Sequence, residues 1–285
     1  MESTPSVGIT AFIDILGFGS RVLAAESAAD IESIRKSVEL IRKTFDHNTG
    51  EDLALSNQKL VGAEILAFSD SVIVNIPLES EATKYSGTFD PIMSEIAGFA
   101  LAQGECVLNG TFLRGGIDLG WWYRDDEIVI SQSLTRAYKQ ESECHYPVIS
   151  ITDSLAEFLE THKDRQIYSQ DIDPTRSIFA ETQFASKSIT FIDYIRICLN
   201  SLDWMIDKAQ INEHRSATPE EKQRIVSEGY RKKVDAWLTT HATRIREAHE
   251  HAPDQVKAKY QWLQDYHNRM AKQYSDNVAC ICELS

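Results

Sequence analysis

Residues 59–78 read KLVGAEILAFSDSVIVNIPL. Two apolar runs of strand length flank the polar triplet Ser69-Asp70-Ser71. The pattern predicts a β-hairpin with Asp70 at or near its tip. Upstream, residues 8–14 (GITAFID) read as a buried strand that ends in another carboxylate, Asp14. The chain then turns through ILGFGS, where Gly17 and Gly19 allow close backbone approach to a ligand. Residues 20–45 carry helical spacing at Ile31, Ile34, Val38 and Ile41. The polar stretch 46–58 reads as a loop.

Downstream, a helix is expected near 88–107, with Ile92, Ile96, Phe99 and Ala100 on one face. Residues 111–131 read as a second hairpin: FLRGGIDLGWWY, a turn at Arg124-Asp125-Asp126, then EIVIS. SLTRAYKQE is a short helix, YPVISIT a strand, and 153–162 a helix. SITFIDYI is a strand or the start of the next helix. Near residue 200 the composition shifts to long polar helices, 218–251 and 254–273, opened by the capping box Thr218-Pro219-Glu220-Glu221. The expected fold is α+β, a largely antiparallel sheet with helices on one face and a C-terminal helical extension. The division reads as 1–200 and 201–285.

Composition narrows the function. The 29 basic and 43 acidic residues leave a formal net charge of −14, which disfavours nucleic acid as a partner. Five scattered cysteines form neither a disulfide framework nor a zinc-ligand spacing. No signal peptide and no membrane span are expected, and cytoplasm is the default compartment.

The chemistry is expected at two acids and one arginine. A carboxylate at the end of an apolar strand is costly to bury unpaired. Asp14 therefore reads as a helix cap or a metal ligand, and Asp70 as a turn residue or a second ligand. Phe12, Ile15, Leu16, Gly17 and Phe18 surround Asp14, and the amides of 16–19 suit phosphate. Arg114-Gly115-Gly116-Ile117-Asp118-Leu119-Gly120 places a cation before paired glycines, which imply close backbone approach or a bulge. Gly17-Phe18-Gly19 mimics a dinucleotide fingerprint but lacks its third glycine and the parallel βαβ unit. Trp121, Trp122 and Tyr123 suit base stacking or an edge contact. His249-Glu250-His251 is a solvated helix face, because i and i+2 point apart.

The order FIDILGF, FSDSV in a hairpin, RGGIDLG and SLTRAYKQE resembles the class III adenylate/guanylate cyclase catalytic domain over about residues 8–150. The resemblance implies a ferredoxin-like palm. It also implies two divalent ions (Mn²⁺ or Mg²⁺) on Asp14, Asp70 and the Ile15 carbonyl, and a homodimer with active sites at its interface. Where the family reads a purine with Lys or Glu, four residues before the second metal Asp, this chain has Leu66. The family's Asn-x-x-x-Arg pair falls on Thr135 and Lys139. Lys139, Arg136 and Arg114 all remain candidates for stabilising the transition state. These departures resemble the pyrimidine cyclases of bacterial anti-phage (Pycsar) systems. UTP or CTP is then the implied substrate, with UTP slightly favoured, and a separate effector is reached only through the cyclic product. The alternatives are a degenerate cyclase fold that senses nucleotide, and a nucleotidyltransferase or phosphohydrolase on a similar palm.

Overall fold

The computed structural model describes residues 4–45, 60–126, 128–184, 186–202 and 210–284. The polar stretch 46–58 lies outside the described residues. The hub of the sheet is β1 (Ser6–Ile15), which pairs antiparallel with β3 (Ser71–Pro77) on one side and β4 (Leu113–Arg124) on the other. β2 (Glu64–Phe68) pairs with β3 through a hairpin whose two-residue loop is Ser69-Asp70. Ser69 has φ 53°, the positive value that tight hairpin loops demand.

Beyond β4 the sheet continues through β6 (Ile149–Ile151), β8 (Lys187–Ile192) and β7 (Phe179–Phe184), while β5 (Val129–Ser131) pairs with the end of β4. Only the β4–β6 pairing is parallel among the described strands. In the order β2-β3-β1-β4, the connections β1 to β2 and β3 to β4 each skip one strand. That is the split βαβ arrangement of a ferredoxin-like palm, so the α+β expectation holds. β7, unread in the sequence, has a partly exposed alternation and little hydrophobic signal.

The helices are α1 (Phe18–Ala24), α2 (Ala28–Phe45), α3 (Glu81–Ser86), α4 (Phe89–Leu108), α5 (Gln132–Glu143), α6 (Asp153–Thr161), α7 (Pro174–Ile178), α8 (Tyr194–Asn200), α9 (Ile211–Ser216), α10 (Pro219–His251) and α11 (Asp254–Tyr274). The expected helix over 20–45 is thus two helices, α1 and α2. SITFIDYI is both things read for it, strand β8 and then the start of α8. Asp173 of the Asp171–Pro174 turn caps α7 by accepting from the Thr175 amide.

Helices cover both faces of the sheet, which corrects the one-face expectation. Ile9, Ala11, Ile13 and Ile15 of β1 and Val72, Val74 and Ile76 of β3 bury one face. Phe45 of α2 and Phe99 of α4 meet there at 6.1 Å and line a small void with Ile65 and Val74. On the opposite face α5 lies against the glycines of β4. A Cβ on Gly116 would fall 2.1 Å from the Ala137 carbonyl oxygen, and one on Gly120 would fall 3.0 Å from the Ser133 amide. The paired glycines are a seat for a helix, and no side chain of ordinary size fits that seat.

The chain divides into two compact units: Met1–Val107 with Thr111–Tyr194, and Leu108–Gly110 with Ile195–Ser285. The first holds the sheet. The second is built on α10 and α11, and α10 opens with the Thr218/Glu221 capping box read from the sequence. No helix among the described residues is long and apolar enough to cross a membrane.

Candidate active site

Asp14 is the last polar residue of β1 and stands directly opposite Arg114 of β4 in the strand register. The Arg114 guanidinium grips it with two hydrogen bonds, Nε to Oδ1 at 3.0 Å and an Nη nitrogen to Oδ2 at 3.2 Å. Only 14% of the Asp14 side chain is exposed. Burial pushes its carboxyl up to about 6, against the lowering hydrogen bond and charge of Arg114. The charges of Glu141 and Asp70 raise it further. For Arg114, burial alone would lower its basicity. The hydrogen bond to Asp14 and the charges of Asp14, Glu141 and Asp70 outweigh that and hold it above its ordinary value. Asp70 thus sits within electrostatic reach of both, because β3 lies beside β1 and brings the hairpin tip alongside the end of β1.

Glu141 is the member that sequence reading missed. It lies near the end of α5 with only 3% of its side chain exposed, and its Oε1 stands 2.5 Å from Arg114 Nε. The Nε hydrogen points at Asp14, so Glu141 Oε1 makes an ion pair and no hydrogen bond. Gly116 admits α5 this closely: its absent Cβ would fall 2.8 Å from the Glu141 amide. The spacing Ser133, Ala137, Gln140, Glu141 sets Glu141 on the face of α5 that meets the sheet, but no apolar pattern marks that face in the sequence.

The turn after Asp14 differs in part from expectation. Gly17 has φ 74°, a left-handed position that favours glycine, and α1 begins at the next residue. Phe18, Gly19 and Ser20 open α1, where amides lack intrahelical partners. The Leu16 amide is not available to phosphate, because it donates to the Phe112 carbonyl at 2.9 Å. The phosphate-facing set read as 16–19 therefore loses its first member.

Phe12, Ile73 and Leu66 form one lateral row across β1, β3 and β2, on the same face as Asp14. Tyr138 of α5 stands edge-on to Phe12, with ring centroids 5.2 Å apart. Leu66 thus belongs to an apolar strip beside the carboxylates.

The other candidates lie elsewhere. Arg136 faces Asp118 at 3.8 Å. Asp118 is fully buried and accepts from Thr152 Oγ1 at 2.5 Å and Ser154 Oγ at 2.7 Å. Lys139 is 75% exposed and pairs with Glu143 at 3.7 Å. Thr135 spends its hydroxyl on the Ser131 carbonyl at 2.9 Å. Of the three cations considered, Arg114 is the one bonded to Asp14. Trp122 is buried while Trp121 is exposed, and Tyr123 donates to Asp125. His251 is exposed but His249 is buried, so the solvated face read for His249-Glu250-His251 holds only in part; the two rings lie on different sides of the helix.

No protein-family model and no curated protein matches this chain. Solved structures it resembles include cyclase domains and a cyclase-like protein. One is the adenylyl cyclase CyaB from P. aeruginosa, at 17% identity and TM-score 0.42, over 67% of this chain and 96% of that one. Another is the monomeric guanylyl cyclase domain of the RhoGC fusion protein from the aquatic fungus Blastocladiella emersonii, at 12% identity and TM-score 0.42, over 68% and 98%. A third is a class III adenylyl cyclase-like ATP-binding protein from Pseudomonas aeruginosa, at 13% identity and TM-score 0.42, over 61% and 39%. Likeness at this level fixes neither substrate nor activity, so function is argued from the residues themselves.

Those residues suit a hard divalent cation. Asp14 already holds a cationic group in a bidentate grip, and Asp70 adds a second carboxylate nearby. Among the described residues no group of three His, Cys, Asp or Glu side chains forms a metal cage. Two carboxylates with a backbone carbonyl is the donor set expected where triphosphate oxygens and water complete the shell.

Proposed function

We propose that this chain is a nucleotidyl cyclase. It converts a pyrimidine nucleoside triphosphate, UTP in preference to CTP, into the 3′,5′-cyclic monophosphate and pyrophosphate. The observation that supports this most is Asp14, buried at the end of the central strand and gripped by a cation, with the Asp70 hairpin tip beside it.

Asp14, Asp70 and the Ile15 carbonyl would hold two Mn²⁺ or Mg²⁺ ions. Such ions, when bound, supply charge against the triphosphate and favour ionisation of the ribose 3′-hydroxyl. The chain itself positions and neutralises. Amides of the turn into α1 face the β- and γ-phosphates. Arg114, held beside the site, adds positive charge against the phosphoryl oxygens. The 3′-oxygen attacks the α-phosphorus, the bond to the β-phosphate oxygen breaks, pyrophosphate leaves, and the hydroxyl proton passes to solvent.

A pyrimidine fits the strip Leu66–Ile73–Phe12, which presents no charged group where purine cyclases carry Lys or Glu. Lys139 pairs with Glu143 and Thr135 bonds the Ser131 carbonyl, so both would serve a second copy of the chain, in a homodimer with shared sites. Exposed Val7, Trp121, Ile128 and Ile130, at the β1, β4 and β5 ends, supply apolar surface for that pairing. The cyclic product would act as a messenger in anti-phage defence, reaching its effector by diffusion within the cytoplasm.

Incubation with each of the four nucleoside triphosphates and Mn²⁺, followed by chromatography, tests the reading. Cyclic UMP, with less cyclic CMP, is expected. Asp14→Ala or Asp70→Ala is expected to lower product at least a thousandfold. Near wild-type cyclisation by either folded variant would sink the two-metal assignment. Binding without pyrophosphate release would make the chain a nucleotide sensor. A linear or hydrolysed product would make it a transferase or phosphohydrolase.

A further inference from the structure

Arg114 stands between the largely buried Asp14 and the buried Glu141, and of these two carboxylates it is hydrogen-bonded to Asp14 alone. Its Nε–H and one Nη–H point at Asp14, at 3.0 and 3.2 Å. Glu141 Oε1 lies closer to Nε, at 2.5 Å, yet has no hydrogen bond of its own. Among the described residues its other oxygen accepts only from the neighbouring Ser142 hydroxyl at 3.2 Å. A carboxylate this buried and this poorly satisfied is expensive to maintain unless it gains a partner at some stage. Gly116 holds it there, since a Cβ at that position would drive α5, and Glu141 with it, off the sheet.

We propose that Arg114 is a placeholder cation on Asp14 and that Glu141 is its second berth. With no divalent ion bound, Arg114 neutralises Asp14. When Asp14 takes a divalent ion, like-charge repulsion makes the old grip untenable, and a small rotation turns the Arg114 N–H groups onto Glu141. Arg114 then stays beside the site instead of swinging into solvent. Glu141 is thus a positioning residue that acts through Arg114, and the pair sets how readily Asp14 binds a cation. The inference rests on the reading of Asp14 as a metal ligand.

Linkage fixes the signs. Removing the competitor, Arg114→Ala, should tighten cation binding. Removing the second berth with an isosteric neutral group, Glu141→Gln, leaves Arg114 more strongly committed to Asp14 and should weaken it. In the double variant Arg114 is gone, so the Glu141 change should have little further effect.

The test is Mn²⁺ alone, titrated into the full chain at pH 8, with free Mn²⁺ counted by electron paramagnetic resonance. Glu141→Gln should raise Kd five- to tenfold. Arg114→Ala should lower it, and the double variant should match Arg114→Ala within twofold. A Glu141→Gln affinity equal to wild type overturns the proposal. So does a double variant as weak as Glu141→Gln, which would make Glu141 a ligand itself. Asp14→Asn is the control for the underlying reading: if it binds Mn²⁺ as well as wild type, the metal assignment fails first. A second measurement needs no substitution. The Arg114 Nε–H resonance, followed by nitrogen-edited NMR during Mg²⁺ titration, should shift on binding, and an unmoved resonance at saturation counts against the exchange.

Discussion

Asp14 pays for its position in stability. Its folded carboxyl lies at about 6, above the ordinary 3.8, because burial outweighs the help from Arg114. A carboxyl raised on folding stabilises the fold below the unfolded value and loses that contribution as pH rises through the folded one. The loss is complete above about pH 7 and is worth up to about 3 kcal/mol at 1.36 kcal/mol per unit. Asp14→Asn, which mimics the protonated form, should therefore raise the unfolding free energy of metal-free protein at pH 8. The gain should vanish near pH 4. Denaturant melts at the two pH values check this, and a variant less stable than wild type at pH 8 would contradict it. Function held against stability is the usual pattern at active sites. The residue types at Asp14, Asp70 and Arg114 were legible because a carboxylate at a strand end, a carboxylate at a hairpin tip and an arginine before paired glycines each break a local rule. Glu141 was not legible. A glutamate on a polar helix is ordinary until a neighbouring strand strips it of water.

At the scale of elements, α5 and β4 make one joint. Gly116 and Gly120 are four residues apart, so their missing side chains open on the same face of β4 and α5 settles there. Gly116→Ala would place a methyl 2.1 Å from the Ala137 carbonyl and 2.8 Å from the Glu141 amide, both backbone atoms that cannot yield cheaply. A destabilisation of about 3 kcal/mol or more is expected, in the range of severe overpacking. Gly120→Ala meets its nearest atoms only at 3.0 Å, one of them the end of the Gln132 side chain, and should cost about 1 kcal/mol. Paired urea melts would show the order, and equal effects would mean that α5 is not seated as described. The glycines announced a close approach in the sequence. The identity of what approaches was hidden, because α5 reads as an exposed polar helix.

At the scale of the whole molecule, the second unit has a polar core of its own. His241 of α10 and His267 of α11 are fully buried, with their Nδ1 atoms 2.8 Å apart. His267 Nε2 donates to the Cys280 carbonyl at 2.7 Å, so in a neutral ring its Nδ1 accepts and His241 Nδ1–H donates. Burial drives both rings below the ordinary histidine value, His267 to about 4 and His241 well below its ordinary value, with His267 as the second cause for His241. The unfolded chain therefore takes up protons first, and stability falls as pH drops from about 6.5 toward 4. His267 alone accounts for about 3 kcal/mol by pH 4. Trp237 stacks on His241 at 5.0 Å, so tryptophan fluorescence during acid titration should report the loss. His267→Asn should flatten that dependence, and an unchanged acid midpoint would remove the pair from the explanation. Nothing in the sequence paired these histidines, which are 26 residues apart on different helices.

By itself the sequence determined the alternation of strands and helices, the two hairpins, the capping box of α10 and three charged residues of the candidate site, Asp14, Asp70 and Arg114. Hydrophobic period, turn chemistry and caps are local, and each is written in a few consecutive residues. Only the tertiary structure decided which cation sits on Asp14, that α5 occupies the face opposite α2 and α4, and that Glu141 stands behind Arg114. Those outcomes depend on strand order and on the depth to which glycine lets a helix approach. Burial then turns ordinary charges into coupled ones, and burial belongs to the fold as a whole rather than to any stretch of chain.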